Sequence, residues 1–429
     1  MKHASMTKSV FFASLLSASM VCSADSILIR NADIYNATGM SAQTHLYIDN
    51  GVIRALGDSA PTSADMIIEG RGMSVTAGLF NAATHIGTVE VGQIEQTVDF
   101  YSDNHAVTAS LKLADAFNPR STLIPHNRVH GLSHAIIMPE LGFNTMESGS
   151  GSLFAGQVAL VQLGNQPKVI NDSVAVAVDY SEAGISQVGN SRAAGLAQLR
   201  QALTDAQHFA ANKAAAMAGN HPDYVLSYAD LEALGPVVTG TKPLLVTTHR
   251  ASDISNILQL AADYNLTLIL SGATEAWMLA EQIASAGVPV IIDPINNLPI
   301  SYDSLGARID SAKLLAEAGV SMLFTGMDWH STHNAYLVRQ SAGNAVANGL
   351  DKLAAIAAMT TNPAKLFGAQ VSGTVTIGEV ADLVLWGGDP LEMTSEAKLV
   401  IIDGEVIPMQ SRSLQLRDRY YKRLQALQQ

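Results

Sequence analysis

A chain of 429 residues is long enough for one large core plus a smaller module, because single cores stop growing at about 250–300 residues. Apolar residues make up 48% and charged residues 15%, which excludes an intrinsically disordered chain. The net charge of −13 leaves no basic face for nucleic acid or for an anionic lipid surface.

Lys2 and Lys8 lead into an apolar stretch at 10–21 that is followed by Cys22-Ser23-Ala24, the layout of a cleavable secretory signal. Cleavage is expected after Ala24, which sends the mature protein to the periplasm or the medium. The stretch is shorter than the roughly 20 residues a membrane span needs, so no span is expected. Cys22 is the only cysteine. A mature chain without it makes no disulfide and no thiolate site, and its stability must come from its core.

Residues 25–74 hold short alternating segments punctuated by Asp49-Asn50-Gly51 and Gly57, the pattern of β-hairpins. The same pattern returns at 369–410, with the turn Asp403-Gly404. Both chain ends are therefore expected to build one small β-sandwich. Between them, at 75–368, apolar strand-like runs at 75–80, 134–138, 158–163, 174–178, 244–246, 266–270, 288–292 and 322–324 alternate with helical stretches. Runs that are apolar throughout mean strands buried on both faces, as in parallel sheets with helical crossovers. Eight such units fit an α/β fold of the (β/α)8 TIM-barrel type. A doubly wound sheet is the alternative, but Ser148-Gly149-Ser150-Gly151-Ser152 lacks the Gly-Lys-Ser/Thr ending of a phosphate loop. The basic tail at 411–429 partly follows a helical repeat and is expected to be a C-terminal helix.

Three segments resemble the amidohydrolase superfamily, and within it the secreted imidazolonepropionase-like branch. Gly78-Leu79-Phe80-Asn81-Ala82-Ala83-Thr84-His85 is similar to the family's Gly-Leu-Ile-Asp-Ala-His-Thr-His. Thr360-Thr361-Asn362-Pro363-Ala364-Lys365-Leu366-Phe367-Gly368 is similar to the Thr-x-Asn-Pro-Ala-x-x-Leu-Gly that closes the barrel. Gly373-Thr374-Val375-Thr376-Ile377-Gly378-Glu379-Val380-Ala381-Asp382-Leu383-Val384 is similar to Gly-x-Ile-x-x-Gly-x-x-Ala-Asp-Leu-Val. The resemblance implies a barrel whose strand ends hold one or two divalent metals. The ligands would be His-x-His on strand 1, often Lys or Glu on strand 4, one His each on strands 5 and 6, and an Asp on strand 8. The metal activates a water that attacks a C–N or C–O bond, with the Asp as proton acceptor.

This chain departs from that ligand set. Strand 1 carries Ala83 and His85, strand 4 ends in Val178-Asp179, strand 5 places Thr247 at the ligand position ahead of His249, strand 6 carries Ser271, and strand 8 retains Asp328. Residues two apart on a strand share a face, so His249 lies on the side of Thr247 and His85 on the side of Ala83. His85, His249 and Asp328 are the candidate ligands of one divalent metal, zinc by its N2O donor count, with Asp328 as the catalytic base. The alternative is a metal-free barrel mouth in which the two imidazoles only form hydrogen bonds. Arg250, Glu275 and His330 are the candidate substrate-binding residues: a carboxylate clamp, a rim carboxylate and a loop imidazole. Histidines 126, 130 and 134 fall at four-residue spacing, but Gly131 interrupts any shared helix face. Glu90, Glu95 and Asp99 follow strand 1 in a loop expected to overhang the site, and Trp277 and Trp329 follow strands 6 and 8.

Two functions follow from these residues. One is an exported hydrolase acting on a non-peptide C–N bond (amide, cyclic amide or imine) of a small molecule, with a reduced or absent metal site. The other is an inactive, metal-free relative that binds a small molecule or a partner protein. The sequence leaves homo-oligomerisation open.

Overall fold

The computed structural model describes residues 25–104, 106–142, 151–326 and 332–427. Residues 1–24, most of the Ser-Gly repeat, and Asp328, Trp329 and His330 lie outside the described residues. Among those described, no helix is long and apolar enough to cross a membrane.

The chain first makes five strands, β1 (Ser26–Asn36), β2 (Gly39–Asp49), β3 (Val52–Leu56), β4 (Met66–Glu69) and β5 (Ser74–Ala77). The barrel follows as β6 (Leu79–Thr84), β7 (Leu132–Ile137), β8 (Phe154–Gln162), β9 (Lys168–Asp179), β10 (Leu244–Thr248), β11 (Leu268–Gly272), β12 (Val290–Ile292) and β13 (Met322–Phe324). The chain then returns to its starting sheet with β14 (Leu383–Trp386), β15 (Ala397–Ile402) and β16 (Glu405–Val406). That sheet has the order β16-β15-β14-β5-β1-β2-β3, with β4 also paired to β1. The two chain ends meet where β14 pairs antiparallel with β5 in the register Val384 to Thr76.

The apolar run at 75–80 is one strand by pattern but two in the structure. Gly78 divides it, leaving Ser74–Ala77 in the first sheet and Leu79–Thr84 in the barrel. The barrel strands run in the order β6 to β13, and across the seam the Thr325 hydroxyl lies 2.9 Å from both Asn81 Oδ1 and the Ala83 carbonyl. Seven strands share one direction, and β8 alone is antiparallel to both its neighbours. The physical reason is the link to β9: residues 163–167 are too few for a crossover, which needs about a dozen, so they can only close a hairpin.

Alternation along the strands sorts the core. Phe80, Ile136, Leu160, Ala177, Leu245, Ile269, Ile291 and Leu323 belong to a buried cluster that fills the barrel. Leu79, Ala135, Val176, Val246, Leu270 and Phe324 belong to the larger cluster between the strands and the surrounding helices. Long loops are tied down by buried charge: Arg192, which opens the helix Arg192–Met217, pairs with Asp253 at 2.6 Å and also with Asp303. The C-terminal helix Arg412–Leu427 has no buried residue.

Candidate functional site at the barrel mouth

Because side chains alternate along a strand, the residue two beyond the last apolar interior position points inward at the C-terminal mouth. Counting two from Ala177, Leu245, Ile269, Ile291 and Leu323 gives Asp179, Thr247, Ser271, Asp293 and Thr325. All five line a cavity of about 790 Å³, together with His85, Glu140 and His249. An apolar barrel thus ends in a polar layer at the face where barrel enzymes hold their active sites.

His85 follows β6, and its Nε2 lies 3.1 Å from Glu140 Oε1. Its ring stacks on Phe100, with centroids 3.8 Å apart and planes within 11°. The main chain fixes both partners, since Glu140 N–H donates to the Phe100 carbonyl at 3.0 Å and His85 N–H donates to Thr332 Oγ1 at 3.1 Å. Burial works to raise the Glu140 carboxyl, but the hydrogen bond from His85, and the attraction of its imidazole whenever that is protonated, overcome it and hold it below the ordinary glutamate value.

His249 Nδ1 lies 2.9 Å from Thr274 Oγ1. The ring sits over Gly272, where φ is +73° and a Cβ would come within 2.5 Å of His249 Cε1. Gly272→Ala is therefore expected to displace this imidazole and strain the left-handed backbone, at a cost of about 1–2 kcal/mol. A thermal melt should show a drop of a few degrees; an unshifted melt would mean that the ring and loop accommodate the methyl group freely.

Asp179 Oδ1 accepts a hydrogen bond from Ser181 N–H at 2.8 Å. Burial raises its pKa and the neighbouring Glu140 adds to the rise, against the Ser181 donors and the pull of His249. Asp293 Oδ1 accepts from Ser341 Oγ at 3.0 Å and Ile295 N–H at 3.1 Å. Arg308 also lines the cavity, but its Nε and Nη2 reach Asp310 at 2.5 and 2.7 Å and its guanidinium lies 4.5 Å above the Trp277 ring centre.

Two residues singled out from sequence face elsewhere. Arg250 Nη2 donates to Ser252 Oγ at 2.9 Å, and its Nε lies 3.5 Å from Asp253. The Glu275 carboxylate accepts Ala251 N–H at 2.8 Å and Gly306 N–H at 3.1 Å, so it ties three mouth loops together. Neither is among the residues lining the cavity. The Glu90 carboxylate likewise holds Asn118 and Thr122. Of the three spaced histidines, His126 and His130 meet edge to face with ring centres 5.6 Å apart, both against Tyr336, while His134 is buried beside Ser133.

Asp179 and Asp293 were open to detection in the sequence, since each directly follows an apolar strand run. Glu140 and Phe100 had no such signal, because their place depends on how two loops fold over β6.

The Amidohydrolase family pattern matches residues 241–407. Among solved structures, an amidohydrolase from Thermotoga maritima MSB8 is 22% identical, with 89% of this chain and 99% of that chain covered and a TM-score of 0.75. A molinate hydrolase is 14% identical (90% and 95% covered, TM-score 0.53). A prolidase complexed with N-methylphosphonate-L-proline is 13% identical (90% and 100% covered, TM-score 0.51). Comparison with curated protein sequences found no match. Residues 241–407 thus resemble the amidohydrolase family, and the Thermotoga maritima structure shares this chain's fold.

Amidohydrolases typically use divalent metals, and the donor set here can be tested for one. Positions 83, 247 and 271 carry Ala, Thr and Ser, none of which supplies an imidazole or carboxylate, and His85 Nε2 is taken by Glu140. Among the described residues no group of three or more His, Cys, Asp or Glu side chains comes together closely enough to hold an ion. Among the described residues these donors fall short of the three or four that a protein-bound zinc needs, and the third candidate ligand, Asp328, lies outside them.

Proposed function

We propose that this chain is an exported hydrolase that cleaves a non-peptide C–N bond (amide, cyclic amide or imine) of a small molecule with acid–base groups of its own barrel mouth. Export rests on the leader pattern at residues 1–24. The observation that carries the chemistry is the His85–Glu140 pair at the edge of the cavity. A carboxylate accepting from Nε2–H fixes the neutral ring with its lone pair on Nδ1, which has no hydrogen-bond partner among the described residues. Phe100 stacking holds the ring plane. Such an imidazole takes the proton from a water attacking the substrate carbon, and the same group returns it to the departing nitrogen. His249, with its hydroxyl partner Thr274, and Asp179 position the polar end of the substrate on the opposite strands.

His85→Asn is expected to lower kcat by about 10²–10⁴-fold, the range typical of a lost general base, with little change in KM, when assayed on small amides, lactams and imines. Protein purified without chelator should contain well under one zinc per chain. One zinc per chain, lost in His85→Ala, His249→Ala and Asp328→Asn, would replace this reading with a three-ligand metal site. The second reading, a binder without turnover, is favoured by the loss of imidazoles at 83, 247 and 271; saturable binding with no hydrolysis of any amide, lactam or imine would establish it instead.

A further inference from the structure

We infer that the ligand of this cavity presents a cationic nitrogen group, an ammonium, amidinium or guanidinium, to Asp179 at the end of β9. The inference rests on the barrel mouth being the functional site, but not on turnover there.

Three carboxylates line the cavity, from Glu140, Asp179 and Asp293, against one guanidinium, that of Arg308. Arg308 is the only lysine or arginine among the described lining residues. Its charge is met by the two hydrogen bonds to Asp310 and its face is covered by Trp277. An anionic ligand would therefore find no uncommitted cation. Glu140 has His85 as its partner and Asp293 accepts from Ser341 and from a main-chain N–H. Asp179 differs: among the described residues its hydrogen-bond donors come from Ser181, and no lysine or arginine forms an ion pair with it, His249 exerting only a longer-range pull.

A second, independent feature points the same way. Ser271 is 7% exposed, lines the cavity, and its hydroxyl has no hydrogen-bond partner among the described residues. This hydroxyl is therefore left to the cavity, where it can accept a hydrogen bond from a ligand. The Thr247 hydroxyl, on the strand paired with it in the register Thr247 to Ser271, is also without a partner among the described residues. A group with several N–H donors matches the Asp179 carboxylate and can also donate to the two hydroxyls, whereas a carboxylate or phosphate would meet the like charges of Glu140, Asp179 and Asp293. Burial makes the Asp179 carboxylate costly to ionise when alone, and a cation entering the site supplies the missing counter-charge. Ala83, Ala155, Met138 and Ile292 give the ligand body apolar walls.

The test uses the full mature chain and three probes of one shape: benzamidinium, benzamide and benzoate, titrated calorimetrically. Benzamidinium is expected to bind at least tenfold more tightly than benzamide, with benzoate weakest. Asp179→Asn should remove that tenfold advantage, bringing benzamidinium down to the affinity of benzamide, with the circular dichroism spectrum unchanged. Asp310→Asn, outside the cavity, frees the Arg308 charge and should weaken benzamidinium and strengthen benzoate. Benzoate binding as tightly as benzamidinium, no benzamidinium binding at millimolar concentration, or full benzamidinium affinity in a folded Asp179→Asn protein would each overturn the inference. None of these readouts depends on hydrolysis, so a failure of the catalytic reading and a failure of this one are told apart.

Discussion

Replacing Gly78 with alanine is expected to cost the protein about 3 kcal/mol or more of unfolding free energy, at the upper end for overpacking a core. Gly78 stands at the step where the chain leaves β5 and enters β6, and its N–H donates to the Asp382 carbonyl at 2.9 Å. A Cβ there would lie 2.0 Å from Asp382 Oδ1, 2.3 Å from Ser133 Oγ and 2.6 Å from Ser133 Cβ. Both neighbours are buried and both are short side chains close to their own backbones, so neither can swing aside. The methyl group must then push β14 away from β7, which opens the joint between the sheet and the barrel. Gly235, inside the helix Tyr228–Val238, has nothing within 4 Å of its added Cβ. Gly235→Ala is accordingly expected to be neutral or slightly stabilising, since alanine is the better helix former. Denaturant midpoints for the two variants check the contrast, and equal midpoints would show that the joint yields.

The barrel strands were legible because burial on both faces forces an apolar composition, and each apolar run between 134 and 324 overlaps one observed strand. Direction was not legible in the same way. β8 is buried along its whole length whether it runs with its neighbours or against them, and only the five-residue link to β9 gives its orientation away. The pairing of β14 with β5 joins residues some 300 apart in sequence, and nothing local specifies it; the expectation that both ends build one small β-sandwich rested on their similar hairpin patterns. At the site, strand-end position identified His85 and His249 as mouth residues. The same rule does not say which way a residue one or two places further on will turn. Arg250 and Glu275 both follow strand ends, yet the main-chain N–H groups of Ala251 and Gly306 capture the Glu275 carboxylate, and Asp253 and Ser252 hold the Arg250 guanidinium. Glu140 and Phe100 reach His85 through loop geometry, which sequence spacing does not encode.

The same joint carries a pH signature, and Asp382→Asn is expected to become more stable than the natural protein as pH rises, by up to about 4 kcal/mol near pH 8. Asp382 and His134 are both buried, with Asp382 Oδ2 at 3.9 Å from His134 Nδ1, and His134 Nδ1 is 2.9 Å from Ser133 Oγ. Neither Asp382 oxygen has a hydrogen-bond partner among the described residues. Burial pushes the Asp382 carboxyl up to about 7, against a small opposing pull from Ser133, and burial pushes the His134 imidazole down to about 3. Between the unfolded aspartate value of 3.8 and about 7, the folded chain holds a proton at Asp382 that the unfolded chain has released, so stability falls as pH rises. Between about 3 and the unfolded histidine value of 6.5, the unfolded chain holds a proton at His134 that the folded chain lacks, so stability rises with pH. In the natural protein these opposite slopes largely cancel from about pH 4 to 6.5. Asparagine removes only the falling slope. Any fixed cost of placing its amide among these groups is the same at every pH, so the informative quantity is the difference between variant and natural protein at pH 5 and at pH 8. A difference that does not change with pH would mean that Asp382 is already ionised in the folded state, held there as an ion pair with a protonated His134.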